Sequence, residues 1–243
     1  MKVIHEKTIY QLIFLPLLFP VNCYLVEEAD SLTLIDAALP FSYKGILRMS
    51  NKLKKPITRI LLTHVHEDHV GALDSLKGLL PNATIYVSER DSRLMAGDIT
   101  LDKDEPDMPI RGSIPKKLNT RADVLLKEGD QIGSLVAVST PGHTPGSFSY
   151  LDTRNNVLIV GDAFQTRGGI AVGGQIRPLF PFPAMATWNQ ELALISAKKL
   201  RKCEPTLLAA GHGKMIEEPQ SAMDLAIAAA ERNLICALQK RSK

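Results

Sequence analysis

The chain has 243 residues, of which 45% are hydrophobic, enough for one sizeable buried core. Its formal net charge is only +3, so we expect no nucleic-acid-binding surface. Three widely spaced cysteines, Cys23, Cys203 and Cys236, form no Cys-x-x-Cys pair, which argues against a disulfide framework and favours a cytoplasmic location. We therefore predict a single globular domain spanning residues 1–243.

An apolar run at residues 9–25 follows Lys2 and Lys7 and has some features of an export signal. Two prolines, Pro16 and Pro20, interrupt this run, and no small-residue cleavage site follows it. We predict two buried strands here and no membrane segment.

The first half of the chain alternates strands with helices. Short β-branched and aliphatic runs predict strands at Cys23–Val26, Leu32–Ile35, Arg59–Leu62 and Thr84–Val87. Helix-like stretches lie near Lys44–Leu53 and Ala72–Leu80. The stretch Gly97–Arg121 contains prolines and glycines and predicts no regular element.

Strand signals resume in the second half, at Val124–Leu126, Leu135–Val138, Phe148–Leu151, Val157–Val160 and Leu207–Ala209. Glycines and prolines in Ala163–Met185 predict a long loop, and long loops in compact domains are often functional. Helices are predicted at about Trp188–Lys202 and Pro219–Gln239.

Three of the six histidines, His64, His66 and His69, lie in one stretch with Asp68, directly after an apolar run. Packing alone does not explain this cluster, because unpaired buried polar groups are costly. In extended backbone alternate side chains share a side, so His64 and His66 are placed to bind one ion while the following turn redirects the others. One zinc ion needs three or four ligands, so two sites require further ligands from distant segments.

The further candidates each follow an apolar strand. His143 lies in Pro141–Gly146, Asp162 follows Gly161, and His212 stands between two glycines. Glycine lets the backbone turn sharply and pass close to a metal. The remaining histidine, His5, is predicted to be a surface residue on an edge strand.

The stretch from His64 to His69 matches the His-x-His-x-Asp-His signature of the metallo-β-lactamase superfamily letter for letter. The later Gly-His, Gly-Asp and Gly-His-Gly elements follow in the order of that family. The chain therefore resembles this superfamily over most of its length, from about Val21 to His212, which implies an α/β fold, the four-layer αββα sandwich. The resemblance also implies a complete ligand set: His64, His66 and His143 for one metal, Asp68, His69 and His212 for the other, and Asp162 as the bridge.

The implied cofactors are two divalent metal ions, zinc first, with iron or manganese as alternatives. Such ions lower the pKa of a shared water from about 15.7 in bulk toward about 7. A metal-bridging hydroxide would then attack a small carbonyl substrate: an ester, a lactone or a thioester. Asp68 is also the candidate catalytic proton shuttle, whereas Glu67 is expected to point away.

The implied function is a metal-dependent hydrolase, and departures from the family's branches bear on its substrate. Asp162 argues against a true β-lactamase, because those enzymes generally lack the bridging aspartate. The stretch after His212 suffices for one helix only, not for the glutathione-binding extension of typical glyoxalase II enzymes. The interval between Asp162 and His212 lacks the tyrosine of quorum-quenching lactonases. The chain is most similar to short bacterial metallo-hydrolases related to glyoxalase II and the lactonases.

Two alternatives remain open. One is an iron-dependent oxidoreductase resembling a persulfide dioxygenase, with His64, His66 and His143 around one ion. A different iron-containing branch, the oxygen-reducing di-iron enzymes, is disfavoured because it has a carboxylate in place of His66. The other is a nucleic-acid processing nuclease, which the modest charge makes a poor fit. The expected partner is a small-molecule substrate, with no nucleic acid and no membrane; the oligomeric state is not indicated.

The predicted loop at residues 163–185 is the candidate pocket wall, and residues 94–114 are the candidate for the opposite wall. The candidate lining residues are the apolar Phe164, Phe180, Phe182 and Trp188, with Arg167 or Arg177 as the receptor of a carboxylate. Alternatively, Phe180 and Phe182 anchor the loop on the core.

Overall fold

Two β-sheets form the centre of the structure, a computed structural model that describes residues 1–241. The first sheet contains, in spatial and chain order, β1 (Lys2–Glu6), β2 (Ile9–Phe14), β3 (Val21–Glu27), β4 (Leu32–Ile35), β5 (Ile57–Leu61), β6 (Thr84–Ser88) and β7 (Val124–Leu126). Its strands pair antiparallel from β1 to β4 and parallel from β4 to β7. The carboxyl ends of β4 and β5 therefore lie side by side.

The later strands are β8 (Gln131–Ile132), β9 (Leu135–Ser139), β10 (Phe148–Asp152), β11 (Val157–Gly161), β12 (Phe164–Gln165), β13 (Ala171–Val172), β14 (Leu207–Ala210) and β15 (Ile216–Glu217). The second sheet has the order β15-β14-β11-β10-β9-β8, while β12 and β13 pair with each other. Within the second sheet β11 and β14 are parallel, so these two strands also end at the same edge.

The helices are α1 (Tyr43–Leu53), α2 (Glu67–Val70), α3 (Leu73–Leu79), α4 (Glu89–Met95), α5 (Phe182–Ala186), α6 (Gln190–Arg201) and α7 (Gln220–Arg241). Side-chain oxygens cap two of them: Ser88 accepts a hydrogen bond from the Asp91 amide, and Asn189 accepts one from the Leu192 amide. Among residues 1–241 no helix combines the length and the apolar character that crossing a membrane requires.

The structure has four layers: helices, the first sheet, the second sheet and further helices. Three hydrophobic clusters lie between these layers. In the first sheet, Leu34 packs toward α1 and α3, while its neighbour Ile35 faces the second sheet. In the second sheet, Ile159 faces the first sheet, while Leu158 packs toward α6 and α7. Successive side chains of a strand point to opposite faces, so strands covered on both faces are apolar throughout. The expected four-layer αββα sandwich is confirmed.

The predicted strands and helices agree with the structure apart from shifts at their ends. The edge-strand prediction for His5 is confirmed, because β1 pairs with β2 alone and His5 is exposed. Cys23, Cys203 and Cys236 are all free, as predicted. Helix α4 was not predicted, because a carboxylate, Asp91, occupies one of its buried positions and interrupts the apolar pattern. The predicted long loop contains β12, β13 and most of α5.

A buried hydrogen bond joins the two sheets. The Tyr150 hydroxyl on β10 donates to the Leu62 carbonyl just after β5, over 2.6 Å. We expect Tyr150→Phe to lower the free energy of unfolding by about 1–3 kcal/mol, because the Leu62 carbonyl would lose a buried partner. Urea denaturation measures this loss, with the partly exposed Tyr43→Phe as the control. Equal stability of the two variants would contradict the importance of this bond.

Candidate metal centre

The candidate ligands follow strands at one edge of the sandwich. His64, His66, Asp68 and His69 follow β5, Asp162 follows β11, and His212 follows β14, while His143 lies in the connection between β9 and β10. In α/β proteins the carboxyl ends of parallel strands are the usual location of binding sites. The topology therefore brings together side chains that are far apart in sequence.

All seven predicted residues meet in one cluster. The structure contains three overlapping groups whose nitrogen and oxygen ligand atoms lie within 4.8 Å of one another. The groups are His64, His66 and His143; His64, His69 and Asp162; and Asp68, His69 and His212. Six of the seven residues are buried, and Asp68 is partly exposed.

Asp162 lies at the centre of this cluster. Its Oδ2 atom is 3.3 Å from His212 Nε2 and 3.5 Å from His143 Nε2, and its Oδ1 atom is 3.5 Å from His69 Nε2. Asp68 Oδ2 lies 3.4 Å from His212 Nε2. Asp162 thus contacts histidines of both predicted ligand sets.

Each imidazole is fixed through the nitrogen that faces away from the cluster. His66 Nε2 donates to the Arg111 carbonyl, and His212 Nδ1 donates to the Pro20 carbonyl. His69 Nδ1 donates to Asp36. The outer nitrogens of His64 and His143 each contact a threonine hydroxyl, that of Thr63 and Thr187 respectively, and both hydroxyls donate their protons elsewhere. The inward nitrogen of each neutral ring therefore carries a lone pair, the form in which histidine binds a metal.

Several inward atoms lack a compatible partner among the described residues. His66 Nδ1 and His143 Nε2 lie 2.9 Å apart, although both rings donate through their outer nitrogens. His64 Nε2, His69 Nε2 and Asp162 Oδ1 are buried and form no hydrogen bond with the described residues. Unpartnered buried polar atoms are costly, and nitrogen and carboxylate donors suit zinc, manganese and iron. The donor set therefore fits divalent metal ions.

The pKa values of the cluster differ between its histidines, and protons compete with a metal ion for those beside the carboxylates. Burial lowers the pKa of His64, and it lowers that of His143 to about 3. Burial also opposes protonation of His69, but Asp36, Asp68 and Asp162 outweigh it and raise its pKa to about 9. Despite burial, the neighbouring histidines hold the pKa of Asp162 well below its usual range. The carboxylates are therefore ionised and lie among imidazoles.

Asp36 was missed by the sequence analysis. It follows β4 and accepts hydrogen bonds from the Thr63 amide, the Thr63 hydroxyl and His69 Nδ1, over 2.7, 2.7 and 2.8 Å. It therefore orients both the loop after β5 and one candidate ligand. The sequence contains an indication of this role, because Asp36 is a carboxylate directly after an apolar strand, as Asp162 is.

Asp91 was missed as well. Its carboxylate accepts hydrogen bonds from the Thr144 hydroxyl and the Gly146 amide, over 2.8 and 2.9 Å. These bonds fix the loop that carries His143. Burial raises the pKa of Asp91 to about 6.

A cavity of about 780 Å³ opens beside the cluster. Asp68, His66, His143, Asp162 and His212 form its polar floor. Residues 112–118 and α5 also line it, so only the end of the predicted wall at residues 94–114 takes part. The remaining lining residues are Phe19, Leu39, Pro40, Glu67, Val70, Gly71 and Asp74.

Of the six candidate pocket residues, Phe182 alone is part of this lining. Phe164, Phe180 and Trp188 are buried, and Phe180 packs on His212 with ring centroids 5.2 Å apart. Phe180 thus anchors the loop, as the alternative interpretation expected.

The two arginines were assigned wrongly. Arg167 donates to the Leu17 carbonyl and Arg177 to the Ile170 carbonyl, and neither lines the cavity. Because neither side chain is part of the cavity lining, these arginines are not the receptors of a carboxylate in the cavity.

The geometry can be compared with known proteins. The family model described as "Metallo-beta-lactamase superfamily" matches residues 17–212. The chain is 57% identical over 232 residues to the uncharacterized protein YobT of Bacillus subtilis (strain 168), which covers 96% of this chain and 100% of that one. It is 28% identical to the probable metallo-hydrolase YflN of the same organism, over 79% and 80% of the two chains. The crystal structure of TTHA1623 in a di-iron-bound form matches 87% of this chain and 96% of its own, with 25% identity and a TM-score of 0.64.

We expect Asp36→Asn to lower zinc affinity about 10- to 100-fold, since the amide keeps only one acceptor oxygen and must turn its NH2 group either toward the Thr63 amide or toward His69 Nδ1 and the Thr63 hydroxyl. Asn is the suitable replacement because residue 36 has φ of 61°, a backbone conformation that Asn tolerates. Competition with a chromophoric chelator measures the affinity. The exposed Asp107→Asn is the control, and equal affinity of the two variants would contradict the orienting role of Asp36.

Proposed function

The chain belongs to the metallo-β-lactamase superfamily, and on this basis we propose that it is a single-domain hydrolase that binds two divalent metal ions, preferably zinc. Its proposed substrate is a small molecule with an ester, lactone or thioester bond. The observation that carries the proposal is the seven-residue cluster, in which three buried donor atoms have no hydrogen-bond partner among the described residues.

The proposed ligand sets follow the contacts in the cluster. One ion would be held by His64, His66 and His143, and the other by Asp68, His69 and His212. Asp162 would contact both ions, because its two oxygens face histidines of both sets. When bound, divalent cations act as Lewis acids that polarise a carbonyl and lower the pKa of water.

Asp68 is the proposed proton carrier. It is the one partly exposed member of the cluster, and it lines the cavity. Its Oδ2 atom lies 3.4 Å from His212 Nε2, which keeps the carboxylate directed toward the reacting region. From this position it would accept a proton from the attacking water and return it to the leaving group.

Aromatic rings shield one side of the cluster from water. Phe19 and Phe180 pack on His212, with ring centroids 5.5 and 5.2 Å away, and Phe182 packs on both phenylalanines. Exclusion of water strengthens electrostatic interactions at a reaction site. We infer that these three rings limit hydration on the side of His212.

The purified protein, prepared without a chelator, is expected to carry close to two divalent ions per chain. Asp162→Ala is expected to lose at least one ion and about 100-fold or more in kcat/KM, because it removes the carboxylate shared by both sets. Elemental analysis measures the metal content, and a panel of lactones, thioesters, phosphoesters and β-lactams measures hydrolysis.

The control for that experiment is Asp107→Ala, which alters an exposed carboxylate. A metal-free protein with full activity would end the proposal. Oxygen consumption by the iron-loaded protein, without hydrolysis of any panel member, would favour the oxidoreductase alternative instead.

Asp68→Asn tests proton delivery. We expect kcat to fall about 100-fold or more for an alkyl ester or lactone, whose leaving alkoxide needs a proton, and much less for a para-nitrophenyl ester. Both rates are measured on protein whose metal content equals that of the wild type. An equal loss for the two substrates would indicate that Asp68 acts as a ligand and not as a proton carrier.

A further inference from the structure

One wall of the cavity is a segment fixed to the candidate metal centre. The Arg111 carbonyl accepts a hydrogen bond from His66 Nε2 over 2.9 Å, and the Ser113 carbonyl accepts one from the Glu67 amide over 2.8 Å. Farther along, the Asp74 carboxylate accepts hydrogen bonds from the amides of residues 119 and 120, over 3.0 and 2.7 Å. Residues 114–118 are thus held between two anchors and have a defined position in the wall.

This segment carries two lysines without partners. Lys116 and Lys117 both line the cavity and are exposed, and neither has an ion pair or a side-chain hydrogen bond with the described residues. Lys55 and Lys77, in contrast, each form an ion pair with a carboxylate. The cavity wall therefore presents two ammonium groups that form no ion pair among the described residues.

The carboxylates of the same cavity are already engaged. Glu67 accepts a hydrogen bond from the Ser113 hydroxyl, and Asp74 binds backbone amides. Asp68 and Asp162 face His212 and belong to the proposed ligand set. These contacts leave the two lysine ammonium groups available for a ligand.

The lining around these charges is mainly apolar. It includes Phe19, Leu39, Val70, Leu118, Phe182 and Met185. A ligand that contacts both the lysines and the metal centre would place its middle portion against these side chains. Apolar lining favours a hydrocarbon chain there, because burying apolar surface is favourable.

We propose that Lys116 and Lys117 bind an anionic group of the substrate, a carboxylate or a phosphate, that an apolar chain connects to the reacting carbonyl. This inference rests on the proposed function and specifies its substrate class. The lysines act as specificity-determining residues that bind one end of the substrate while the other end lies at the candidate metal centre.

The test compares matched substrates on the zinc-loaded protein. The anionic probes are mono-para-nitrophenyl esters of glutaric, adipic and suberic acid, and the neutral probes are the same compounds with the free carboxylate methylated. A second series replaces the carboxylate by a phosphonate, which distinguishes the two anions. We expect the wild type to prefer an anionic probe, with the preference declining as salt is added.

The variants are Lys116→Gln/Lys117→Gln and, as a control of equal charge change, Lys52→Gln/Lys127→Gln, whose lysines are exposed outside the cavity. We expect the first pair to lower kcat/KM about tenfold for the anionic probe, mainly through KM, and to leave the neutral probe within about twofold. The control pair should change neither. An equal effect on both probes, or none, would overturn the inference.

Calorimetric binding separates this inference from the proposed function. The ligand is the mono-N-methylamide of adipic acid, with the uncharged N,N′-dimethyl diamide as its control. Tighter binding of the anion to the wild type than to the lysine double variant supports the lysine site even if no ester is hydrolysed. Unchanged binding in the variant would mean that the carboxylate lies elsewhere, for example at the metals, and would reject it.

Discussion

The structure of the site depends on a buried carboxylate, Asp162, that lies among imidazoles. Burying a negative charge costs much free energy unless a cation or several donors compensate it. Here the nearest groups are the inward nitrogens of His69, His143 and His212, whose outer nitrogens are committed to other partners. Gly211 allows this approach, because a Cβ atom there would lie 2.3 Å from Asp162 Oδ1. The two sheets thus meet around a charge that only a cation or protons can balance.

Much of the fold and the cluster could be predicted from the sequence. The strands of the sandwich interior are apolar on both faces, so short aliphatic runs such as residues 32–35 and 157–160 stand out from the charged segments between them. His143, Asp162 and His212 each follow such a run and stand beside glycine, which indicated their role before any contact was known. The order of the layers, however, came from the family resemblance and not from the periodicity.

The supporting residues have weaker signals in the sequence than the candidate ligands. Asp36 and Asp91 act through hydrogen bonds to residues far away in the chain, and a single aspartate after a strand is also common in ordinary turns. The two arginines of the long loop were wrong candidates, because they lie outside the cavity lining and donate to backbone carbonyls. The cavity wall at residues 112–118 has no regular structure, so its position depends on anchors that no local pattern reveals.

The close packing of Gly112 on His66 connects the cavity wall to the candidate metal centre. At this position φ is 90°, and a Cβ atom would lie 2.1 Å from His66 Nε2, so the backbone rests directly against the imidazole. Movement of the wall would therefore displace the ring or break its hydrogen bond to the Arg111 carbonyl. If a metal ion in the cluster favours one position of the wall, it changes the affinity of the cavity for a molecule that favours the same position. That molecule then raises the affinity for the metal by the factor by which the metal raises the affinity for the molecule. Occupancy of the cavity and of the histidine cluster would then be thermodynamically linked.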